Sequence, residues 1–374
     1  MSALDETIAL LSRMIAHPTV SDRGNRDLVE FLAIRLRADG ARVRILPDMG
    51  GEKANLLASV GPNADGGLLL SGHLDVVPPG EGWSSDPFTL RRAAGRLHGR
   101  GACDMKGFVA ACVTMLPRLA RRGAPVHLAL THDEEVGCLG AQALARAMAA
   151  EGPRPAMAII GEPTRMRVIE GHKGCFEYTT RFTGRDGHGS APDLGLNAGW
   201  AAARFALRLE ALAGELKAMR PEGVFDPPWA TVSLGRIEAG VARNVIAGQA
   251  AVEWEMRPVS EAEARHVKQA LADHAETEMA AHPGLVMKTE CFGEVGGLEP
   301  RAANEARDLM LELVGGRPGL VPFGTEAGIW QALGMDAVLC GPGDIAQAHR
   351  PDEYLEESQL AACLDMLGAL AARP

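Results

Sequence analysis

Five side chains able to hold a divalent cation stand at widely separated points of the chain: His73, Asp104, Glu135, Glu162 and His349. All are oxygen or nitrogen donors. That set suits Zn, Mn or Co, and without thiolates it is not a structural zinc site. Three of the five follow apolar runs of the buried-strand type. Residues 67–70 lead into Ser71-Gly72-His73, residues 126–130 into Thr131-His132-Asp133-Glu134-Glu135, and residues 156–160 into Gly161-Glu162-Pro163. A fourth run, 336–340, leads into the loop that carries His349, while Asp104 lies within 99–107, just ahead of a helical pattern. In open α/β sheets ligands bind beyond the carboxyl ends of the strands, so the five donors are expected to converge at one sheet edge.

Charge counting favours two cations over one. Asp104, Glu135 and Glu162 carry three negative charges, two dications carry four positive ones, and a bridging hydroxide brings the set to neutrality. Without metal, clustered carboxylates repel one another and have raised pKa values. Two ions about 3.5 Å apart can clamp a water, lower its pKa toward about 7 and polarise a carbonyl. Two further acids suit that chemistry. Asp75, in His73-Leu74-Asp75, can orient a metal-bound imidazole, and Glu134 beside Glu135 offers a proton acceptor for an activated water. The plainer alternatives are a capping or surface role for each strand-end residue and a solvated helix N-terminus for Asp133-Glu134-Glu135. His17, His98, His127, His132, His172 and His282 read as ordinary histidines.

Elements must deliver these residues to one place. The pattern predicts amphipathic helices over 5–16 and 25–39, strands over 43–46 and 55–60, and helices over 106–121 and 139–150 between the apolar runs. Such alternation argues for an α/β fold, a mixed sheet flanked by helices. The middle differs. Strand-like segments at 177–183, 229–235 and 248–256 alternate with long Ala-rich helical patterns at 197–218 and 260–281, as in a small α/β sandwich inserted into the larger domain. A Pro/Gly-rich stretch covers 221–228.

Composition excludes several classes. The 374 residues are 47% hydrophobic and 23% charged, which excludes disorder for most of the chain. With 38 Lys+Arg against 48 Asp+Glu the net charge is −10, and no basic run interrupts it, so no nucleic-acid partner is expected. No apolar stretch reaches the roughly 18 residues of a membrane span. Asp5 and Glu6 stand where a secretory signal would carry bases. Seven scattered cysteines form no CxxC pair, so a disulfide framework is not expected and a reducing cytoplasm fits.

Four motifs together carry a resemblance. Residues 71–78, Ser-Gly-His-Leu-Asp-Val-Val-Pro, resemble the first signature of the di-zinc aminoacylase/carboxypeptidase family, and 99–107, with Asp-Met-Lys-Gly at its end, resemble the second. Asp133-Glu134-Glu135-Val136-Gly137 and Gly161-Glu162-Pro163-Thr164 follow in the expected order. The resemblance spans nearly the whole chain. It implies that His73 and Glu162 bind one zinc and Glu135 and His349 the other, with Asp104 bridging, Asp75 orienting His73, and Glu134 as general base and acid. Zn is the expected metal, with Co as the substitute.

The resemblance also assigns 1–172 and 288–374 to a discontinuous catalytic domain and 173–287 to a lid that forms a homodimer interface. His188, in Gly187-His188-Gly189-Ser190, matches a lid histidine that reaches the active site; its composition alone reads as a turn histidine. Asn244 and Arg257 match lid positions that hold substrate, and Gly324 and Thr325 match a loop that binds the same carboxylate. Glu326 is expected, on chemistry alone, to face a distal substrate ammonium.

Within the family, Gly324-Thr325-Glu326-Ala327-Gly328 and residues 341–354 look most like the branch that deacetylates N-acetyl-L-ornithine in arginine biosynthesis. Gly328 departs from members that carry Pro there. The alternatives are a desuccinylase of succinyl-diaminopimelate, a general aminoacylase, a glutamate carboxypeptidase-like enzyme, or a non-catalytic small-molecule binding protein. The last has no need of Glu134.

Overall fold

The four apolar runs that lead to candidate ligands are strands with nearly every residue buried, which is why they read as unbroken apolar stretches rather than alternating ones. They belong to a computed structural model that describes residues 2–219 and 222–373. In chain order the first unit opens with α1 (Ala3–Ile15), α2 (Arg26–Ala38), β1 (Arg42–Pro47), β2 (Ala54–Val60) and β3 (Leu68–His73). It continues through β4 (Arg91–Ala93), β5 (Arg96–His98), α3 (Gly107–Leu119), β6 (Val126–Thr131), α4 (Leu139–Glu151), β7 (Met157–Pro163) and β8 (Ile169–His172). The second unit contributes β9 (Cys175–Thr183), β10 (Gly187–His188), α5 (Ala198–Met219), β11 (Thr231–Ala239), β12 (Val245–Ile246), β13 (Gln249–Arg257), α6 (Glu261–Ala281) and β14 (Val286–Val295). The chain then returns with α7 (Glu305–Val314), β15 (Gly319–Val321), α8 (Ala327–Ala332), β16 (Asp336–Gly341), β17 (Tyr354–Glu356) and α9 (Glu357–Ala371).

In the first unit an eight-stranded sheet runs β1-β2-β6-β3-β7-β16-β8-β15. β3 is parallel to both β6 and β7, and β16 is parallel to β7, so four neighbouring strands end at the same edge. α1, α3 and α9 pack on one another, and α3 also meets β3, β6 and β7. Leu11, Met14 and Ile15 of α1 are fully buried against this layer, and the Ser2 side chain caps the helix by accepting from the Asp5 N–H at 3.1 Å. Two glycines permit the close approach. A Cβ at Gly161 would stand 2.0 Å from the Phe108 ring, and one at Gly341 would stand 2.1 Å from the Gly161 carbonyl oxygen. The residue before Glu162 must therefore lack a side chain.

The second unit is an antiparallel sheet, β11-β13-β9-β14, with α5 and α6. Strict alternation points Phe176, Tyr178, Thr180 and Phe182 of β9, and Ala250, Val252, Trp254 and Met256 of β13, to one face. Tyr178 and Trp254 stack at 4.4 Å, and the Trp254 indole donates to Thr180 Oγ1 at 3.0 Å. This unit comprises His172–Glu299 and Val321–Gly324, running beyond 287 because β14 pairs along β9. β14 alternates weakly and carries Lys288 and Glu290 in its middle, so it has no strand signature of its own. Of the stretch 221–228, Pro221 lies outside the described residues. Among the described residues no helix is long and apolar enough to cross a membrane.

Candidate metal centre

His73 ends β3 and is almost wholly buried. Its Nδ1 meets the Asp75 carbonyl oxygen at 2.9 Å, which calls for a proton on Nδ1 and leaves Nε2 as the atom that would ligate a cation once the proton it shares with Asp104 is displaced. That Nε2 lies 3.1 Å from Asp104 Oδ1, while Asp104 Oδ2 lies 3.4 Å from Nε2 of His349. The two oxygens of Asp104 are thus divided between two histidines. His349 Nε2 is also 3.0 Å from Glu135 Oε2. Two donor sets result, His73/Asp104/Glu162 and Asp104/Glu135/His349, each with ligand atoms within 4.8 Å of one another. The first set is buried; in the second, the His349 side chain is 52% exposed.

Local backbone explains how these residues reach their places. Glu134 and Glu135 sit in the turn after β6, between Asp133 and Cys138, both non-glycine residues in the left-handed region (φ 55° and 54°). The Asp75 carboxylate holds that turn, accepting from the N–H groups of Glu134 at 3.1 Å and Glu135 at 3.3 Å and from Ser21 Oγ at 2.8 Å. Lys53 pairs with Asp133 at 2.5 Å beside it. Asp75 therefore serves His73 chiefly through its carbonyl, with the carboxyl oxygen Oδ1 at 3.7 Å from Nδ1.

Electrostatics fit the donor set to cations. Burial, then neighbouring acids, pushes the carboxyls of Glu134, Glu135 and Glu162 up. Burial works against the Asp104 carboxylate too, but hydrogen bonds from His349 and His73 hold it below the ordinary range. Hydrogen bonds to Asp104 and Glu135 push His349 up to about 10. Glu162 Oε1 is buried with no hydrogen-bond partner. An orphaned carboxylate oxygen aligned with imidazole and a shared carboxylate is what a divalent cation satisfies, and the protons this cluster retains are those a cation displaces.

Three buried residues of the first unit lie beside the expected site residues without being among them. Glu353 and Arg100 form a buried ion pair at 2.7 Å, and Lys106 is buried with its Nζ donating to the carbonyls of Met14 and His17. Their places within the 99–107 and 341–354 motifs were the available signal. Glu326 corrects an expectation. It is fully buried, accepting from Ser71 Oγ, from Thr131 Oγ1 at 2.8 Å and from the Trp330 indole at 3.4 Å, so its oxygens are engaged inside the unit rather than open to a substrate ammonium. Thr325 is also buried, its Oγ1 accepting from the Ala327 N–H at 3.1 Å.

The second unit holds the other expected residues. His188 is exposed on β10, opposite Val245 of β12, with Nδ1 at 2.6 Å from Ser190 Oγ. Asn244 adjoins it, its carbonyl accepting from the Gly189 N–H at 2.9 Å. Arg257 ends β13 with Nε and Nη2 on Glu255 Oε2, at 3.1 and 2.7 Å. Gly324 also belongs to this unit.

Comparison with known proteins covers the full architecture. The model of peptidase family M20/M25/M40 matches residues 69–373. The acetylornithine deacetylase of Myxococcus xanthus is 36% identical over 97% of this chain and 96% of its own length. That of Proteus mirabilis is 34% identical over 97% and 95%. Among solved structures, the M20 family metallo-carboxypeptidase Sso-CP2 of Sulfolobus solfataricus matches with a TM-score of 0.78 at 18% identity, covering 98% of each chain. The YXEP protein of Bacillus subtilis, a dinuclear metal binding peptidase of the M20 family, matches with 0.67 at 17% identity over 99% and 97%.

Proposed function

The chain belongs to peptidase family M20/M25/M40 and is a metal-dependent hydrolase; from that premise we propose that it cleaves N-acetyl-L-ornithine to L-ornithine and acetate, a step of arginine biosynthesis. The observation that carries this reading is Asp104, whose two oxygens each face a different histidine, with Glu134 in the adjoining turn. Similarity at 33–36% identity to four acetylornithine deacetylases over nearly the whole chain supports the choice of substrate.

His73, Asp104 and Glu162 would hold one divalent ion and Asp104, Glu135 and His349 a second, Zn or Co, supplying Lewis acidity and an acidified water. Glu134 takes the proton from the attacking water on its carboxylate and delivers it to the departing α-amine. Asp75 keeps the Glu134 turn and the His73 ring in register. We assign His188 to donate to the oxyanion, and Arg257, Asn244 and Gly324 to hold the α-carboxylate, with Thr325, itself buried, shaping the loop that carries Gly324.

Two further assignments accompany the reading. β11 is the outer strand of its sheet and exposes Leu234 and Ile237, while α5 exposes Trp200 and Leu207, which supports a homodimer formed through the second unit. The buried thiols of Cys103, Cys112, Cys138, Cys340 and Cys363 support a cytoplasmic location. The test is acetate release by Zn- or Co-loaded protein from N-acetyl-L-ornithine, beside N-acetylmethionine, N-succinyl-diaminopimelate and a dipeptide. Preference for any of the other three replaces the substrate assignment.

A further inference from the structure

Glu353 is 1% exposed, lies four residues after His349, and stands at the start of the strand pairing between β17 and β5. Its Oε2 accepts from Arg100 Nη1 at 2.7 Å and the Gly101 N–H at 3.0 Å. Its Oε1 accepts from the Cys103 N–H at 2.8 Å and the Asp104 N–H at 3.1 Å. Its own carbonyl accepts from the Gly99 N–H at 3.0 Å. One residue therefore engages the loop 99–104 nearly end to end, stopping at the backbone of Asp104.

The same short segment reaches Asp104 a second time. His349 Nε2 lies 3.4 Å from Asp104 Oδ2, so the carboxylate and the backbone N–H of Asp104 are met by residues only four apart in sequence. The turn between them is constrained. His349 and Asp352 both have left-handed backbones, φ 60° and 55°, and Asp352 Oδ1 is fastened to the Ser84 N–H at 2.9 Å and to Ser84 Oγ at 2.8 Å. A non-glycine residue stays in that region only where its surroundings hold it there.

We propose that Glu353 is a positioning residue for the metal centre: it fixes the 99–104 loop to the His349 turn so that the Asp104 carboxylate stands ready between two cations before either arrives. The inference rests on the two-cation reading above. A shared ligand must satisfy two coordination geometries at once, with tolerances of about 0.5 Å, so looseness in its backbone weakens both sites. Four N–H donors on one buried carboxylate supply that rigidity, and the Arg100 guanidinium balances its charge.

Glu353→Asp tests this, because it keeps the charge while withdrawing the carboxylate by one methylene. Titration with Co(II), followed by the visible absorption of the bound ion, should show two ions taken up by the wild type. In Glu353→Asp at least one should bind ten-fold more weakly or more, with an altered spectrum. Leu36→Ala, a core truncation in α2, serves as a control for general destabilisation and should lower Tm while leaving Co(II) uptake unchanged. Two ions bound by Glu353→Asp with wild-type affinity and spectrum overturn the proposal alone. A wild type that takes up no Co(II) overturns the metal centre and the proposal with it. Should Glu353→Asp fail to fold, hydrogen exchange on the metal-free wild type decides: slow exchange at the Cys103 and Asp104 amides supports prior ordering, and fast exchange that slows only on metal addition overturns it.

Discussion

The carboxylate of Asp75 accepts a hydrogen bond from the backbone N–H of Glu134 at 3.1 Å, while the Asp75 carbonyl holds Nδ1 of His73 at 2.9 Å. A single residue beyond the end of β3 thus orients an imidazole and also the turn that carries Glu134, the proposed proton acceptor. Asp75→Asn keeps the carbonyl contact but turns one acceptor oxygen into a donor facing N–H groups. Outer partners of metal ligands are worth about 10–100-fold in metal affinity or activity, and a kcat loss of that order is expected with little change in KM. Steady-state kinetics alongside metal analysis separates the two effects, and unchanged kcat would remove Asp75 from this role.

Glu134→Ala removes the proposed proton acceptor without removing a member of either donor set. Turnover should fall by about 100- to 10,000-fold or more while two metal ions remain bound. Metal content by elemental analysis and acetate release measured on one preparation provide the check; preserved turnover assigns proton transfer elsewhere.

Protons and cations compete for this cluster. In the metal-free protein the carboxyls of Glu134, Glu135 and Glu162 are raised, and His349 is raised from 6.5 to about 10. Through these groups the folded state binds more protons than the unfolded one between the two sets of values, so their contribution falls as pH rises, while buried Lys106, lowered to about 7, works in the opposite sense above that pH. The histidine's share is fully present below about 6.5 and lost as pH climbs through about 10; the acids add a loss that starts above their unfolded value of 4.5. Metal, which displaces the protons held by this cluster, should therefore raise Tm by more at pH 9 than at pH 6. Melting curves at both pH values, with and without Zn, test the sign.

Gly161→Ala would place a methyl 2.0 Å from the Phe108 ring, at the residue before Glu162. Overpacking of this kind costs about 1–3 kcal/mol. Urea unfolding should report that loss, and Co(II) titration should report a weaker site at Glu162; wild-type values for both would show that α3 yields readily.

What could be read before folding follows from how local each signal is. β3, β6, β7 and β16 are legible because parallel strands buried on both faces leave continuous apolar runs, and His73, Glu135 and Glu162 follow three of them directly. Glu326 is a different case. Its burial depends on α8 bringing it to Ser71 and Thr131, residues 255 and 195 positions away, and nothing in its neighbours announces that contact. β14 has no local strand signature, because half of its residues face solvent and its pairing partner β9 lies a hundred residues upstream. Glu353 sat within a recognised motif, yet its grip on the 99–104 loop is a tertiary fact.

The unequal depth of the two donor sets carries a kinetic meaning. His73, Asp104 and Glu162 are enclosed, whereas His349 presents half of its side chain to solvent. A cation on the His349 side would meet solvent directly, whereas one on the His73 side would be enclosed by protein. Metal occupancy would then be lost in two stages, the exposed side first.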